Sequence, residues 1–151
     1  MSYDDWRNKM NGKYEYIVSA CLCGEKCRYD GKSSLSEKIK KLCDEGKALI
    51  VCPEIEGGLD VPRHPCEIKN GRVINTQNED KTENFIAGAK KTLDFAQKYN
   101  IKKAILKEKS PSCGSKFIYD GSFCRTLVKG RGITASLLNE NGIKIISDEE
   151  F

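Results

Sequence analysis

The run Ala48-Leu49-Ile50-Val51, closed by Cys52-Pro53-Glu54, limits the fold more than any other segment. Four consecutive apolar residues without polar alternation describe a strand covered on both faces, as in a parallel sheet with helices above and below. Three further segments repeat the theme. Residues 14–20 are rich in Tyr, Ile and Val, and residues 103–107 and 143–146 are short apolar runs preceded or interrupted by Lys. Helical periodicity fills the gaps between them. Leu35, Ile39 and Leu42 predict a helix over 34–45, with Ser34 or Ser36 as cap and Gly46 as stop. Phe85, Ile86, Ala89, Leu93, Phe95 and Ala96 predict the longest helix over 81–99, with Thr82 as cap and Asn100 at its end. A third helix is predicted over 132–141, stopped by Gly142.

Strands alternating with helices predict an α/β chain with a Rossmann-like three-layer fold and a mainly parallel four-stranded sheet. Asn70-Gly71, between Glu67-Ile68-Lys69 and Arg72-Val73-Ile74, adds a small β-hairpin. Residues 54–66 carry Gly57, Gly58, Pro62 and Pro65 and read as an irregular loop. The length of 151 residues suits one domain over 14–151 behind a polar leader at 1–13. No apolar run approaches the roughly 18 residues of a membrane span. The leader lacks an apolar stretch for export, which predicts a cytoplasmic protein. Net charge is only +4, too little for a protein that coats nucleic acid.

Eight cysteines are many for such a chain. In a reducing compartment they point to metal binding or catalysis rather than to a disulfide framework. Cys21, Cys52 and Cys113 each fall at or just beyond the carboxyl end of a different predicted strand. Parallel sheets place their ligand crevice outside those ends. The fold would therefore bring together three thiols that are 31 and 61 residues apart in sequence. Three thiolates repel one another and form unfavourably near pH 7; a metal centre would relieve both costs, although three ordinary buried cysteines fit the same positions. Arg28 and Asp30, on the loop after the first strand, are candidates for the pocket wall.

The loops themselves carry a resemblance. Ser19-Ala20-Cys21-Leu22 with Gly24 and Arg28-Tyr29-Asp30-Gly31, Cys52-Pro53-Glu54 with Gly57-Gly58 and Pro62-Arg63, Lys107-Glu108 with Ser110-Pro111-Ser112-Cys113-Gly114, and Tyr119-Asp120-Gly121 resemble the thiouracil desulfidase family across residues 14–151. The resemblance implies an oxygen-sensitive [4Fe-4S] cluster held by Cys21, Cys52 and Cys113, with one iron not ligated by protein. It also implies an enzyme that removes sulfur from thiolated uracil or thiouridine to give the oxo base and sulfide. Thionucleotides and thiolated tRNA carry the same base. Exchange of sulfur for oxygen at one carbon needs no net redox change. Glu54, two residues from Cys52, is expected as general base or proton shuttle, and Ser110 and Ser112 as substrate-orienting or proton-relaying groups.

Two other readings use the same residues. A non-catalytic zinc or thiol binding module would close its site with a fourth cysteine, Cys23 or Cys27, and a sulfurtransferase would carry a persulfide without iron. Cys23 stands where the family pattern has an apolar residue and is expected to be a bystander; Cys27 is expected to be structural or to lie behind the ligands. Cys43 is expected to pack in a helix. Cys66 and Cys124 are expected in loops away from the chemistry, and His64 in loop packing. Gly130-Arg131-Gly132-Ile133-Thr134-Ala135 reads as turn glycines before a helix rather than a dinucleotide fingerprint, with the helix N-terminus left open to an anion. Lys102, Lys103, Lys107, Lys109, Arg125, Lys129 and Arg131 would favour a phosphorylated substrate if they ring the crevice.

Overall fold

The computed structural model describes residues 13–151; the rest of the polar leader lies outside the described residues. In chain order the elements are β1 (Tyr16–Ser19), α1 (Glu37–Asp44), β2 (Ala48–Val51), α2 (Pro53–Glu56), β3 (Cys66–Lys69), β4 (Arg72–Asn75), α3 (Thr82–Lys98), β5 (Lys103–Leu106), β6 (Phe117–Tyr119), β7 (Leu127–Lys129), α4 (Ile133–Glu140) and β8 (Lys144–Ser147). Four strands form a parallel sheet in the order β2-β1-β5-β8, as the apolar runs predict. Successive residues of each strand face opposite layers. Val18, Ile50 and Ile105 pack with Ile39 and Cys43 of α1, whereas Ile17, Leu49 and Leu106 pack with Ala96 of α3 and Leu138 of α4. Helices thus cover both faces, and complete burial of each such side chain stabilises the fold by roughly 1.5–3 kcal/mol.

From β1 the chain crosses to β2 on one side and later reaches β5 on the other, so strand order reverses between β1 and β5. Their carboxyl ends diverge and open the crevice expected at such a point. The Asn70-Gly71 hairpin is present as β3–β4, with both turn residues at positive φ (51° and 76°). A second hairpin, β6–β7, went unread in the sequence because its Phe117, Leu127 and Val128 are exposed and give no alternating inward face. Among the described residues no helix is long and apolar enough to cross a membrane.

One local reading is narrowed and two are corrected. Of the two candidate caps for α1, Ser36 is the one used, its Oγ accepting the Ile39 N–H. Thr82 does not cap α3: its Oγ1 accepts the Val73 N–H from β4, while Asp80 accepts the Thr82 N–H. Residues 53–56, expected as loop, form the single turn α2. Pro53 has the fixed φ suited to a first helical position, and α2 packs directly on α3. A Cβ added at Gly88 would lie 1.8 Å from the Pro53 carbonyl oxygen, and one at Gly57 would lie 2.0 Å from that of Asn84. Two glycines therefore set how closely this turn, with Glu54 on it, approaches the long helix. Gly88→Ala should destabilise the protein by about 2 kcal/mol through overpacking, measured as a lower urea midpoint at unchanged slope; an unchanged midpoint would show that the contact is not tight.

Candidate active site

The crevice is a cavity of about 550 Å3 whose floor carries Cys21, Cys52 and Cys113, all buried. Cys21 lies in the 3-10 turn that continues β1, Cys52 ends β2 and begins α2, and Cys113 lies on the loop after β5. Three strand ends thus deliver the three thiols that strand placement selects. Burial pushes the Cys113 thiol up to about 12, against hydrogen bonds from Ser112 and Ser19 that favour the thiolate; the neighbouring Cys21 and Cys52 raise it further. A metal bound here would displace such protons and bring the charge that lets the thiolates coexist. The donor set is therefore suited to a thiolate-ligated metal group.

Cys27 is a fourth buried thiol in the same cavity. Its S–H is shared with the Cys21 and Cys52 sulfurs, which raises Cys27 well above the ordinary thiol range. The hydrogen bond from Cys27 holds Cys52 below its usual value in spite of burial. Cys23 instead pairs with Cys43 in a disulfide, so neither belongs to the thiol set. Cys66 begins β3 rather than lying in a loop and lines the cavity, its thiol pushed up to about 11 by burial. Cys124 is exposed, and His64 borders a second cavity beside Glu79. Among the described residues no group of three or more His, Cys, Asp or Glu is set to hold a single metal ion.

Glu54, Ser110 and Ser112 meet beside Cys113. Ser110 Oγ accepts the Ser112 and Cys113 N–H groups, each at 3.1 Å, so its own proton is left for Ser112 Oγ at 2.9 Å. Ser112 can then donate to Glu54 Oε2 at 3.2 Å or to Cys113 Sγ at 3.5 Å. Arg28 lines the cavity. Asp30 stands behind it: its carboxylate accepts from Arg28 at 3.0 Å and from the Lys32 N–H at 3.0 Å, and it is not on the cavity wall. Of the seven cations of the third loop region, Lys107, Lys109 and Arg125 reach the cavity. Lys107 faces Asp148 and Lys109 faces Glu149, each at 3.6 Å.

The loop after β5 is held by Glu108, which is almost fully buried. It accepts the Lys116 and Phe117 N–H groups and both the N–H and hydroxyl of Ser115. The N-terminus of α4 holds the other side. The Ile133, Thr134 and Ala135 N–H groups donate to Pro111 or Ser112 carbonyls, so this helix end is filled by the protein's own loop and not left for an anion. Gly132 permits the contact, since a Cβ there would lie 2.4 Å from the Ser112 carbonyl carbon. Sequence reading quoted Arg63 and Glu108 in motifs and gave neither a role. Glu108 and Arg63 bond mainly to backbone groups, which leave no mark in side-chain identity, and only their place beside Lys107 and Pro62 in the motifs marked them.

Buried thiols at the switch point of a parallel α/β sheet, with a carboxylate and two hydroxyls beside them, define a cluster-competent catalytic class. The 2-thiouracil desulfurase family profile matches residues 16–150, and the chain belongs to that family. It is 46% identical over 145 residues to YbbK, an uncharacterised protein of Bacillus subtilis (strain 168), covering 89% of this chain and 96% of that protein. Its structure is similar to a solved [4Fe-4S]-dependent thiouracil desulfidase, TudS, with a TM-score of 0.87 and 42% identity over 92% of this chain and 93% of the other.

Burial alone would raise the Glu108 carboxyl, but the hydrogen bonds from Ser115, Lys116 and Phe117 prevail and hold it down at about 2, below its usual 4.5. The unfolded chain then binds more protons between those values, so Glu108 stabilises the fold above about pH 4.5 and loses that contribution as pH falls towards 2. Glu108→Gln should cost about 3 kcal/mol at neutral pH and flatten this part of the acid unfolding curve. Equal stabilities of both proteins at pH 7 would refute it.

Proposed function

We propose that this protein is a [4Fe-4S]-dependent desulfidase of thiolated uracil, acting through one catalytic domain over residues 14–151. The observation that carries the reading is the convergence of Cys21, Cys52 and Cys113 in one cavity with the Ser110-Ser112-Glu54 chain. These cysteines would hold the cluster and leave one iron without a protein ligand. When bound, the cluster supplies a Lewis acid for the thiocarbonyl sulfur. Glu54 Oε2, through Ser112 Oγ, receives the proton of the water that attacks the thiocarbonyl carbon. A carbon–oxygen bond forms; as the carbon–sulfur bond breaks, the relay returns that proton to sulfur and the second water proton leaves the new carbonyl oxygen, so the products are the oxo base and hydrogen sulfide. Carbon, sulfur and oxygen keep their oxidation levels, so no electron donor enters.

Tyr29, Tyr119 and Phe123 line the cavity and offer ring faces or edges to a pyrimidine. Arg28, Lys107, Lys109 and Arg125 also line it, and Arg125 has no ion-pair partner among the described residues. This supports a phosphorylated thiouridine over the uncharged base. A reducing, cytoplasmic setting would keep Cys21, Cys52 and Cys113 available as thiolate ligands.

Protein purified without oxygen should contain about four irons and four sulfides per chain, lost in Cys21→Ala, Cys52→Ala and Cys113→Ala and kept in Cys124→Ala. Stoichiometric zinc would support the closed binding module, and turnover without iron would support the persulfide carrier. With the cluster retained, Glu54→Gln should lower kcat about 100-fold; unchanged sulfide release would remove Glu54 from the chemistry. Arg125→Ala should raise KM about tenfold for thiouridine monophosphate and leave thiouracil unaffected, about 1.4 kcal/mol of lost binding. An equal effect on both substrates would exclude a phosphate contact.

A further inference from the structure

Arg63 lies on the loop between α2 and β3, outside the thiol and hydroxyl sets, yet its guanidinium is spent on two residues of the cavity wall, Glu54 and Cys27, and on Asp60 of its own loop. Nε donates to Glu54 Oε1 at 3.1 Å, Nη2 to the Cys27 carbonyl at 2.9 Å, and Nη1 to the Asp60 carbonyl at 3.0 Å. The ion pair is nearly enclosed, with side-chain exposures of 9% for Arg63 and 15% for Glu54. A buried carboxylate can rotate about its last bonds and present either oxygen to a neighbour. Here one oxygen is fixed by Arg63, so the other is fixed on Ser112 Oγ. The two carbonyl bonds in turn fix the guanidinium plane, tying the loop after β1 to the loop after β2.

We propose that Arg63 is a positioning residue, which holds Glu54 Oε1 so that Oε2 alone exchanges protons with Ser112. Lysine cannot replace it, because an ammonium on a flexible stem does not reproduce three donors in one plane. The inference rests on Glu54 acting in proton transfer, and the test separates the two claims.

The experiment is a double-mutant cycle on the iron-loaded enzyme with Arg63→Met, Glu54→Gln and the double variant, together with Arg63→Lys. Each is measured for iron content, cluster absorption, kcat and KM. If Arg63 acts through Glu54, Arg63→Met lowers kcat about 10- to 100-fold with KM and cluster content near wild type, and the double variant is no slower than Glu54→Gln. Arg63→Lys falls closer to Arg63→Met than to wild type. Multiplying losses in the double variant would overturn the proposal, as would full activity in Arg63→Met. An unaffected Glu54→Gln would overturn it by removing the group Arg63 is held to position. Loss of iron in both Arg63 variants would assign Arg63 to holding the loops instead, and would equally overturn it.

Discussion

A parallel sheet leaves its backbone polar groups unsatisfied where strands end, and this site depends on how that edge is closed between β1 and β5. Ser19 Oγ accepts the Lys107 N–H across the two strand ends. Glu108 then gathers the N–H groups of residues 115–117, and the first N–H groups of α4 take the carbonyls of Pro111 and Ser112. Each bond answers a buried donor or acceptor that would otherwise cost about 1–3 kcal/mol. With both flanks of the loop pinned, Ser110 and Ser112 have no freedom to drift from Cys113. The placement of the Ser110 and Ser112 hydroxyls beside Glu54 thus follows from satisfying backbone groups.

The same economy sorts eight thiols by position. Cys21 and Cys52 are buried because they stand at strand ends over the core that Val18, Ile50 and Ile39 share. Cys113 is buried on the opposite face with Leu106 and Leu138. The cavity therefore sits where both halves of the core reach the sheet's carboxyl edge, and a cofactor there would be supported from both layers. Cys23, two residues from Cys21, points instead towards α1 and finds Cys43. A turn of 3-10 helix is what sends neighbouring cysteines in different directions. Cys27 remains buried among the ligand candidates, its carbonyl held to Arg63, while Cys66 lines the same cavity from the start of β3.

The sequence made the sheet legible because both-sided burial writes continuous apolar runs, which no other element of this length produces. The strand ends then located Cys21, Cys52 and Cys113 without any short motif. Glu54, Ser110 and Ser112 were legible from proximity to those positions. The β6–β7 hairpin was hidden because its side chains face solvent, and α2 because a four-residue turn has no periodicity to read. Asp30 looked like pocket wall from its loop, but a short carboxylate two residues from an arginine is more readily consumed by that arginine and by a turn N–H. Arg63 was obscured for a different reason: its three acceptors are Glu54, Cys27 and Asp60, two of them backbone carbonyls, which leave no trace in side-chain identity.

Charge separates the two parts of the cavity. Near Cys113, the carboxylate beside Ser112 is Glu54, and among the described residues its ion-pair partner is Arg63, itself held by two backbone carbonyls. Elsewhere on the cavity wall, Lys107 and Lys109 are partly balanced by Asp148 and Glu149, whereas Arg125 has no ion pair among the described residues. The proposed phosphorylated substrate would be drawn to these cations without placing its charge against Glu54, the proton acceptor of the proposed reaction. A guanidinium free to swing onto Glu54 Oε2 would occupy the oxygen that faces Ser112. The buried three-way anchoring of Arg63 keeps its positive charge on Glu54 Oε1, so in the proposed reaction the cations that would attract substrate are distinct from the one that holds the proton acceptor.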